Sequence, residues 1–178
     1  MVRHAKSSWD NPFLNDHDRP LAARGIEDAP KMAERLKKRG IKPSLFLSST
    51  ALRAAETAKI TAEILDYPKD EIRWEKELFL ASPNQILKLL RMQKDSVDTI
   101  LIFGHNPGLN DLISHLGGTL DNLPTSGQFG FKVKSEHWAE LKPETAEPWF
   151  IDYPKKKKLR QFKITDILNY VWKQFRIG

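Results

Sequence analysis

The sequence predicts an α/β protein, a three-layer α/β/α sandwich around a mostly parallel central sheet. Short apolar runs typical of buried strands alternate along the chain with longer stretches in which apolar residues recur at helical spacing. The most strand-like run, Thr99 to Phe103, has no polar alternation after Thr99, which indicates a sheet covered by helices on both faces. A chain of 178 residues with 40% hydrophobic content is long enough for one domain with its own core.

A loop follows the first strand-like residues. Residues 5–20 are polar and contain Pro12 and Pro20, and we expect Trp9 and Phe13 to anchor them to the body of the protein. In an open α/β sheet, a loop after a strand lies over the mouth of the ligand pocket.

The next segment, residues 21–39, predicts a helix that ends at Gly40. Because proline fits best in the first turn of a helix, Pro30 places the predicted start near residues 26–29. The apolar residues at helical spacing are Ile26, Ala29, Met32, Ala33 and Leu36.

A short buried strand, residues 45–47, precedes a second helix. Thr50 is a candidate cap for that helix, and Arg53 then lies in its first turn, beside the partial positive charge of the helix N-terminus. The predicted buried stripe of this helix is Leu52, Ala55, Ala58, Ala62 and Leu65.

The rest of the chain alternates in the same way. Ser82 to Gln85 is a capping-box start with proline at the first helical position, and the helix it begins is expected to reach Gln93. The remaining predicted elements are a strand at residues 72–74, a helix lined by Leu109, Leu112, Ile113 and Leu116 that ends at Gly117, an edge strand at residues 129–133 and a strand at residues 148–153.

The positive charge is concentrated at one end of the chain. The net charge is +6, but residues 155–178 carry +7, so residues 1–154 are close to neutral. We therefore expect a domain at residues 1–154 and a basic, helical extension at residues 155–178 that docks on the same domain. Nucleic acid is not the expected partner, because the body has no basic surplus.

The composition excludes several kinds of site. The chain has no cysteine, which rules out disulfides and thiolate metal sites. No apolar run approaches the roughly 20 residues that span a bilayer, and no signal peptide precedes Arg3. We expect a cytoplasmic protein without a membrane span.

Four cationic or switchable side chains follow predicted strands: Arg3, His4, Arg53 and His105. Loops at the carboxyl edge of an open α/β sheet converge on a ligand, so these side chains are expected to meet in one pocket. Buried like charges disfavour one another, and the pocket therefore needs an anion. Phosphate fits best, since an arginine fork binds its oxygens bidentately and an imidazole can donate to oxygen or attack phosphorus.

The order and spacing of these motifs resemble a known family. The histidine phosphatase superfamily has an Arg-His pair at the end of its first strand, and the small SixA-type phosphohistidine phosphatases are the most similar group. The matching stretches cover roughly residues 1–140: Arg3-His4-Ala5-Lys6-Ser7-Ser8-Trp9, Asp18-Arg19-Pro20-Leu21, Ser48-Ser49 with Leu52-Arg53-Ala54, Gly104-His105-Asn106-Pro107-Gly108-Leu109, and Pro124-Thr125.

The resemblance implies a phosphoglycerate mutase-like fold in which His4 takes up the phosphoryl group. Arg3, Arg53 and His105 would then hold the phosphoryl oxygens, and Arg19 would join them. Arg24 is close enough in sequence to serve instead of Arg19. Family members also carry several apolar residues before the Arg-His pair, whereas only Met1 and Val2 precede it here. We expect that natural residues precede Met1; the alternative is a shortened first strand.

The remaining site residues come from loops. Asp16 precedes Arg19 by three residues, the offset of the active-site aspartate in SixA-type proteins, and is the first candidate for a proton donor. The alternative donors are Asp18 and Glu77. The side chain of Asn106 is expected either to contact phosphate or to stabilise its own turn. The resemblance implies that Thr125 and Ser126 belong to the segment that closes over His105. For the other histidines, His17, His115 and His137, ordinary surface or packing roles are expected.

These observations predict a phosphatase that uses neither a metal nor another cofactor. No cluster of carboxylates suits a two-metal mechanism, and the arginines are expected to neutralise the phosphoryl charge. The chain lacks the long insertions that build caps in sugar-phosphate enzymes of this superfamily, which favours an open pocket and phosphohistidine on a protein as the substrate. One alternative is a general phosphomonoesterase for small phosphate esters. The other is a phosphate-recognition module whose basic extension binds nucleic acid or anionic lipid.

Overall fold

The computed structural model describes residues 1–156, which form one six-stranded sheet with helices on both faces. The strands are β1 (Val2–Arg3), β2 (Leu45–Ser49), β3 (Arg73–Glu75), β4 (Ile100–Gly104), β5 (Gln128–Val133) and β6 (Ala146–Asp152). The helices are α1 (Ala23–Lys38), α2 (Leu52–Ile64), α3 (Pro83–Arg91) and α4 (Gly108–His115). From residue 157 onward, the predicted basic extension lies outside the described residues.

The strand order is β3-β2-β4-β1-β5-β6. The first four strands in this order are parallel, and the pairings of β5 with β1 and with β6 are antiparallel. The four parallel strands end at the same edge of the sheet, so the loops after β1, β2 and β4 bring their side chains together there. The predicted α/β fold with a mostly parallel sheet is confirmed.

Alternate residues of the central strands pack on opposite helical layers. Leu47 and Ile102 belong to a core shared with α3 and α4. Phe46 and Phe103 point to the other face, where they pack with residues of α1 and α2. The predicted three layers follow from this alternation.

Two helix boundaries were predicted correctly from local signals. Gly40 ends α1 with a positive φ of 73°, and its N–H donates to the carbonyl of Lys37. Ser82 begins α3 with the complete capping box, in which its side chain accepts from the N–H of Gln85 and the Gln85 side chain accepts from the N–H of Ser82.

The predicted start of α1 was wrong. The helix begins at Ala23, and Pro30 lies in its interior, where it removes one backbone hydrogen bond. The helix continues because Ala29, Met32, Ala33 and Leu36 are all buried against the core. Ile26, which was expected on that face, is 58% exposed.

Three expectations for α2 and the sheet edge were also wrong. Thr50 does not cap α2, whose N-cap is Ala51 without a side-chain hydrogen bond. The buried face of α2 is shifted from the predicted stripe and consists of Arg53, Ala54, Thr57, Ala58, Thr61 and Ala62. Strand β5 is not an edge strand, because it lies between β1 and β6.

None of the helices within residues 1–156 is both long enough and apolar enough to cross a membrane.

Candidate active site

His4 directly follows β1, and its side chain is buried at the carboxyl edge of the parallel strands. Its Nδ1 atom lies 2.7 Å from the carbonyl oxygen of Ala5. Because a carbonyl oxygen only accepts hydrogen bonds, Nδ1 carries the proton of the neutral ring and Nε2 keeps its lone pair. Nε2 accepts a hydrogen bond from Nε of Arg53, at 3.3 Å. The nitrogen that is available for attack therefore faces an arginine.

Both histidines of the pocket are held in the neutral form. Burial is the main cause that lowers the pKa of His4 to about 4; the Ala5 carbonyl opposes it, and the charges of Arg53 and Arg3 add to it. Burial also lowers the pKa of His105 to about 3, with further contributions from His4 and Arg53. A neutral imidazole keeps the lone pair that a nucleophile needs.

His105 follows β4 and lies beside His4, with 5.0 Å between the ring centroids. Its Nε2 atom is 2.9 Å from Oγ of Ser49, a hydroxyl that also accepts from the N–H of Ala51. In the tautomer in which Ser49 donates to Nε2, the buried Nδ1 atom of His105 carries the proton. Within residues 1–156 that Nδ1 has no partner, so it is available to donate to a ligand oxygen.

Arg3 provides a second donor that has no partner within residues 1–156. One of its terminal nitrogens, Nη1, donates to the carbonyl of Leu123 at 2.7 Å. Its buried Nε atom has no hydrogen-bond partner among the described residues. Burial, and then the charge of Arg53, lower the pKa of Arg3, although an arginine remains charged at neutral pH. Like the Nδ1 atom of His105, this donor lacks an acceptor among residues 1–156 and is available to a ligand oxygen.

Asp16 lies between two arginines. Its Oδ1 atom accepts from Nη1 of Arg19 at 2.8 Å, and its Oδ2 atom accepts from Nη2 of Arg53 at 2.9 Å. Its backbone carbonyl also accepts from Nη1 of Arg53. Burial raises the pKa of the Asp16 carboxyl, but the hydrogen bonds from Arg19 and Arg53 outweigh burial and hold it below its usual value. The Asp16 carboxylate thus occupies guanidinium donors of both arginines.

Arg19, rather than Arg24, is the arginine buried beside the pocket. Its Nε atom donates to the Ser8 carbonyl at 2.9 Å and its Nη2 atom donates to Oγ of Ser7 at 2.7 Å. The guanidinium also stacks on Trp9, 3.2 Å from the ring centroid. Arg24 instead donates to a carboxylate one turn later in α1, and its side chain is half exposed. The geometry therefore distinguishes the two arginines that the sequence left open.

The segment before β5 closes the floor of the pocket. Ser126 donates its N–H to the carbonyl of His4, with a φ of 58°. Thr125, its neighbour, is half-buried and has no side-chain hydrogen bond within residues 1–156. Asn106 donates through Nδ2 to Oδ1 of Asn122 at 2.9 Å and to the carbonyl of Leu123 at 3.1 Å. The amide of Asn106 thus stabilises this turn, in which the Leu123 carbonyl also accepts a hydrogen bond from Arg3.

The other two candidate carboxylates lie outside this arrangement. Asp18 accepts from Nδ1 of His17 at 3.0 Å and has an exposed side chain. Glu77 lines a separate groove of about 440 Å³ with Arg73, Gln85, Lys88 and Met92. Asp16 is therefore the candidate that contacts both buried arginines.

Several pocket contacts were not predicted from the sequence. Ser7 and Ser49 position Arg19 and His105, and only their places just after β1 and within β2 hinted at such roles. His17 contacts Oγ1 of Thr50, a specific partner that the expected surface or packing role did not name. Within residues 1–156, no group of three or more His, Asp or Glu side chains is arranged to hold a metal ion.

Known proteins resemble this chain in sequence. A family model described as the histidine phosphatase superfamily (branch 1) matches residues 1–78. An uncharacterized protein of Mycobacterium tuberculosis is 33% identical over 156 residues, which cover 82% of this chain and 94% of that protein. The chain belongs to the histidine phosphatase superfamily. An uncharacterized chloroplast protein of Arabidopsis thaliana is 32% identical over 148 residues, or 79% of this chain and 68% of its own length.

Solved histidine phosphatases have the same fold. A SixA protein from Agrobacterium tumefaciens, assigned as a phosphohistidine phosphatase, superposes with a TM-score of 0.73 at 25% identity, over 86% of this chain and 95% of that one. The predicted likeness to SixA-type proteins is confirmed. The family and the fold together support a phosphatase that works through a histidine.

Proposed function

We propose that this histidine phosphatase hydrolyses phosphohistidine on other proteins through a covalent intermediate on His4. The observation that carries the proposal is the environment of His4: a buried, neutral imidazole whose Nε2 faces Arg53, beside His105 and Arg3. No other buried pair of histidines with arginines occurs within residues 1–156.

The reaction consists of two in-line transfers. In the first, Nε2 of His4 forms a bond to phosphorus while the bond from phosphorus to the substrate imidazole breaks, and the departing imidazole leaves as its ring takes a proton. In the second, a water oxygen bonds to phosphorus, the bond to His4 breaks, and the water proton passes to solvent as inorganic phosphate is released. His4 returns to its neutral form.

The arginines stabilise the transferred group. Arg3 and Arg53, with the Nδ1 donor of His105, would hold the three equatorial oxygens, and these contacts would tighten as charge redistributes in the transition state. Arg19 would bind an oxygen once Asp16 releases its guanidinium. Three fixed cations supply the charge neutralisation that a metal ion supplies in other phosphatases, so the proposed mechanism needs no metal.

The surface around the pocket favours a protein as the substrate. Five exposed apolar side chains follow the carboxyl ends of β1, β2 and β3, and we call them the apolar rim: Trp9, Phe13, Leu14, Leu52 and Leu80. Phe13 is 94% exposed and does not anchor its loop as the sequence predicted, whereas Trp9, 69% exposed, stacks on the buried Arg19. Exposed apolar side chains on loops at this edge of the sheet suit a contact with a protein, whereas a sugar phosphate needs polar partners for its hydroxyls.

A second candidate function is the hydrolysis of small phosphate esters, and Asp16 favours it. An alkoxide leaving group needs an acid, and Asp16 lies between arginines that bind phosphate. A phosphoryl group that takes up the donors of Arg19 and Arg53 removes the hydrogen bonds that lower the pKa of Asp16. The carboxyl can then bind the proton that it donates.

The test compares three kinds of substrate. We expect kcat/KM to be highest for a folded protein phosphorylated on histidine with phosphoramidate, lower for free phosphohistidine, and lowest for sugar phosphates. Higher efficiency on sugar phosphates than on both phosphohistidine substrates would contradict the proposal and support the esterase.

A rim variant separates protein docking from chemistry. Phe13→Ser combined with Leu80→Ser is expected to lower kcat/KM for the phosphorylated protein while that for free phosphohistidine stays unchanged. Met92→Ser is the matched control, because Met92 is 70% exposed but lines the groove that contains Glu77. Equal loss on both substrates would show that the rim supports the fold rather than a partner.

A further inference from the structure

His17 joins the loop over the pocket to the body of the domain. It is the central residue of the 3₁₀ turn Asp16–Asp18, next to the carboxylate that Arg19 and Arg53 share. Its Nε2 atom lies 3.0 Å from Oγ1 of Thr50, the residue just before α2. Thr50 precedes Ala51, the N-cap of that helix, and its hydroxyl is engaged in this contact rather than in capping.

The same ring is held on two further sides. Its Nδ1 atom donates to Oδ1 of Asp18, at 3.0 Å, which fixes the ring within its own turn. The ring also packs edge-on against Phe79, with 5.1 Å between the centroids. Phe79 in turn packs edge-on against His105 at 5.5 Å. His17 is thus fixed against a residue that itself contacts a pocket histidine.

The 3₁₀ turn needs such an attachment. It contains no buried residue and has no side-chain cap. The Asp16 carboxylate ties it to two arginines, but a bound phosphoryl group competes for the same guanidinium donors. The contact between His17 and Thr50 uses neither arginine, so a bound phosphoryl group does not compete for its atoms.

We infer that His17 is a positioning residue that holds Asp16 over the pocket, through Thr50 and Phe79, while the phosphoryl group occupies the arginines. The Thr50 hydroxyl donates to Nε2 of the neutral ring and accepts from the protonated ring, so the contact exists in both states of His17. The catalytic role of Asp16 in this inference rests on the proposed function. The contact between His17 and Thr50 does not.

Three variants test this attachment. His17→Phe keeps a ring against Phe79 but removes both ring nitrogens, and Thr50→Val removes the hydroxyl from the other side of the same contact. His17→Gln places a polar atom near the position of Nε2 and is expected to restore the contact. His137→Phe is the matched control, because His137 also pairs with an aspartate, Asp95 at 2.8 Å, but Asp95 precedes β4 and so lies toward the opposite edge of the sheet.

The first readout needs no turnover. The pKa of Asp16, measured from its carboxyl ¹³C shift in protein saturated with inorganic phosphate, is expected to lie above an ordinary aspartate value in the wild type, because the held carboxylate faces the bound anion. In His17→Phe and Thr50→Val it is expected to fall toward that ordinary value, because the released turn no longer keeps Asp16 beside the anion. The pKa is expected to stay at the wild-type value in His17→Gln and His137→Phe. An unchanged pKa of Asp16 in both His17→Phe and Thr50→Val would overturn the inference, whether or not the protein is active.

The second readout is a double-mutant cycle on an aryl phosphate. His17→Phe is expected to lower kcat by up to about 100-fold, the scale for a misplaced catalytic group, with a smaller change in KM. In the Asp16→Asn background the same change is expected to cause no further loss. Additive losses would overturn the inference while leaving the proposed function intact. A shifted pKa of Asp16 in a protein without phosphatase activity would support the attachment and contradict the proposed function instead.

Discussion

Nε of Arg53 donates a hydrogen bond to Nε2 of His4, at 3.3 Å. The same guanidinium binds the Asp16 carboxylate through Nη2, at 2.9 Å. Because a guanidinium is planar and rigid, it fixes these two partners relative to each other. One buried side chain therefore connects the proposed nucleophile with the proposed acid.

Arg53→Lys is expected to lower kcat/KM by roughly 100-fold or more, the scale observed when one transition-state donor is removed. A lysine keeps the charge but cannot bond to His4, Asp16 and a phosphoryl oxygen with one planar group. Steady-state kinetics with free phosphohistidine would measure the loss. Arg24→Lys is the control, since the half-exposed Arg24 pairs with Asp28 and, within residues 1–156, with no pocket residue. Equal kinetics of Arg53→Lys and the control would show that the Arg53 fork is dispensable.

Asp16→Asn is expected to slow the hydrolysis of an aryl phosphate more than the hydrolysis of phosphohistidine. The difference is an acid-catalysis factor of at most roughly 10²–10⁴. The reason is that an aryl or alkyl oxide needs a proton from the enzyme, whereas a protonated imidazole leaves readily. The ratio of the two kcat values before and after the substitution is the measurement. Equal losses on both substrates would assign Asp16 to binding or water activation, and full activity on both would leave it without a catalytic role.

The free energy of unfolding is expected to decrease as the pH drops below the usual pKa of an exposed histidine. Burial lowers the pKa of His4 to about 4 and that of His105 to about 3, from a usual value of 6.5. Between the usual pKa of 6.5 and the lowered pKa values of the folded protein, the unfolded chain binds protons that the folded protein does not, so acid favours unfolding. From about pH 7 to about pH 5, His4 alone would remove roughly 2 kcal/mol of unfolding free energy.

Urea unfolding of wild type and His4→Gln in phosphate-free buffer measures this effect. The wild-type unfolding free energy is expected to decrease more steeply over that pH range, because glutamine does not titrate. His115→Gln, at an exposed position of α4, is expected to follow the wild type. Parallel curves for wild type and His4→Gln would mean that His4 has the same pKa in the folded and the unfolded protein, and would contradict a buried, neutral His4.

The sequence was informative where one local signal decides the structure. Gly40 marks the end of α1 and Ser82 marks the start of α3, and each of these signals involves only a few neighbouring residues. The alternation of apolar runs along the chain determines the three layers. The arrangement of Arg3, His4, Arg53 and His105 around one pocket also followed, because parallel strands end at the same edge.

Features that depend on distant partners were not predictable in this way. Pro30 lies inside α1 because tertiary burial of that face outweighs one lost hydrogen bond. Thr50 bonds to a histidine 33 residues earlier instead of capping α2, and no local pattern reports that competition. The choice of Arg19 over Arg24 depends on the conformation of the loop, which places Ser7 and Ser8 around one guanidinium.

The central claim is that the phosphoryl group is carried on Nε2 of His4. Radiolabelled phosphohistidine peptide, mixed rapidly with the enzyme and quenched in alkali, is expected to leave label on the peptide fragment that contains His4. Label should be absent from a folded His4→Ala variant, which should also lack turnover. Label on His105, or undiminished turnover by His4→Ala, would contradict the mechanism proposed for this pocket.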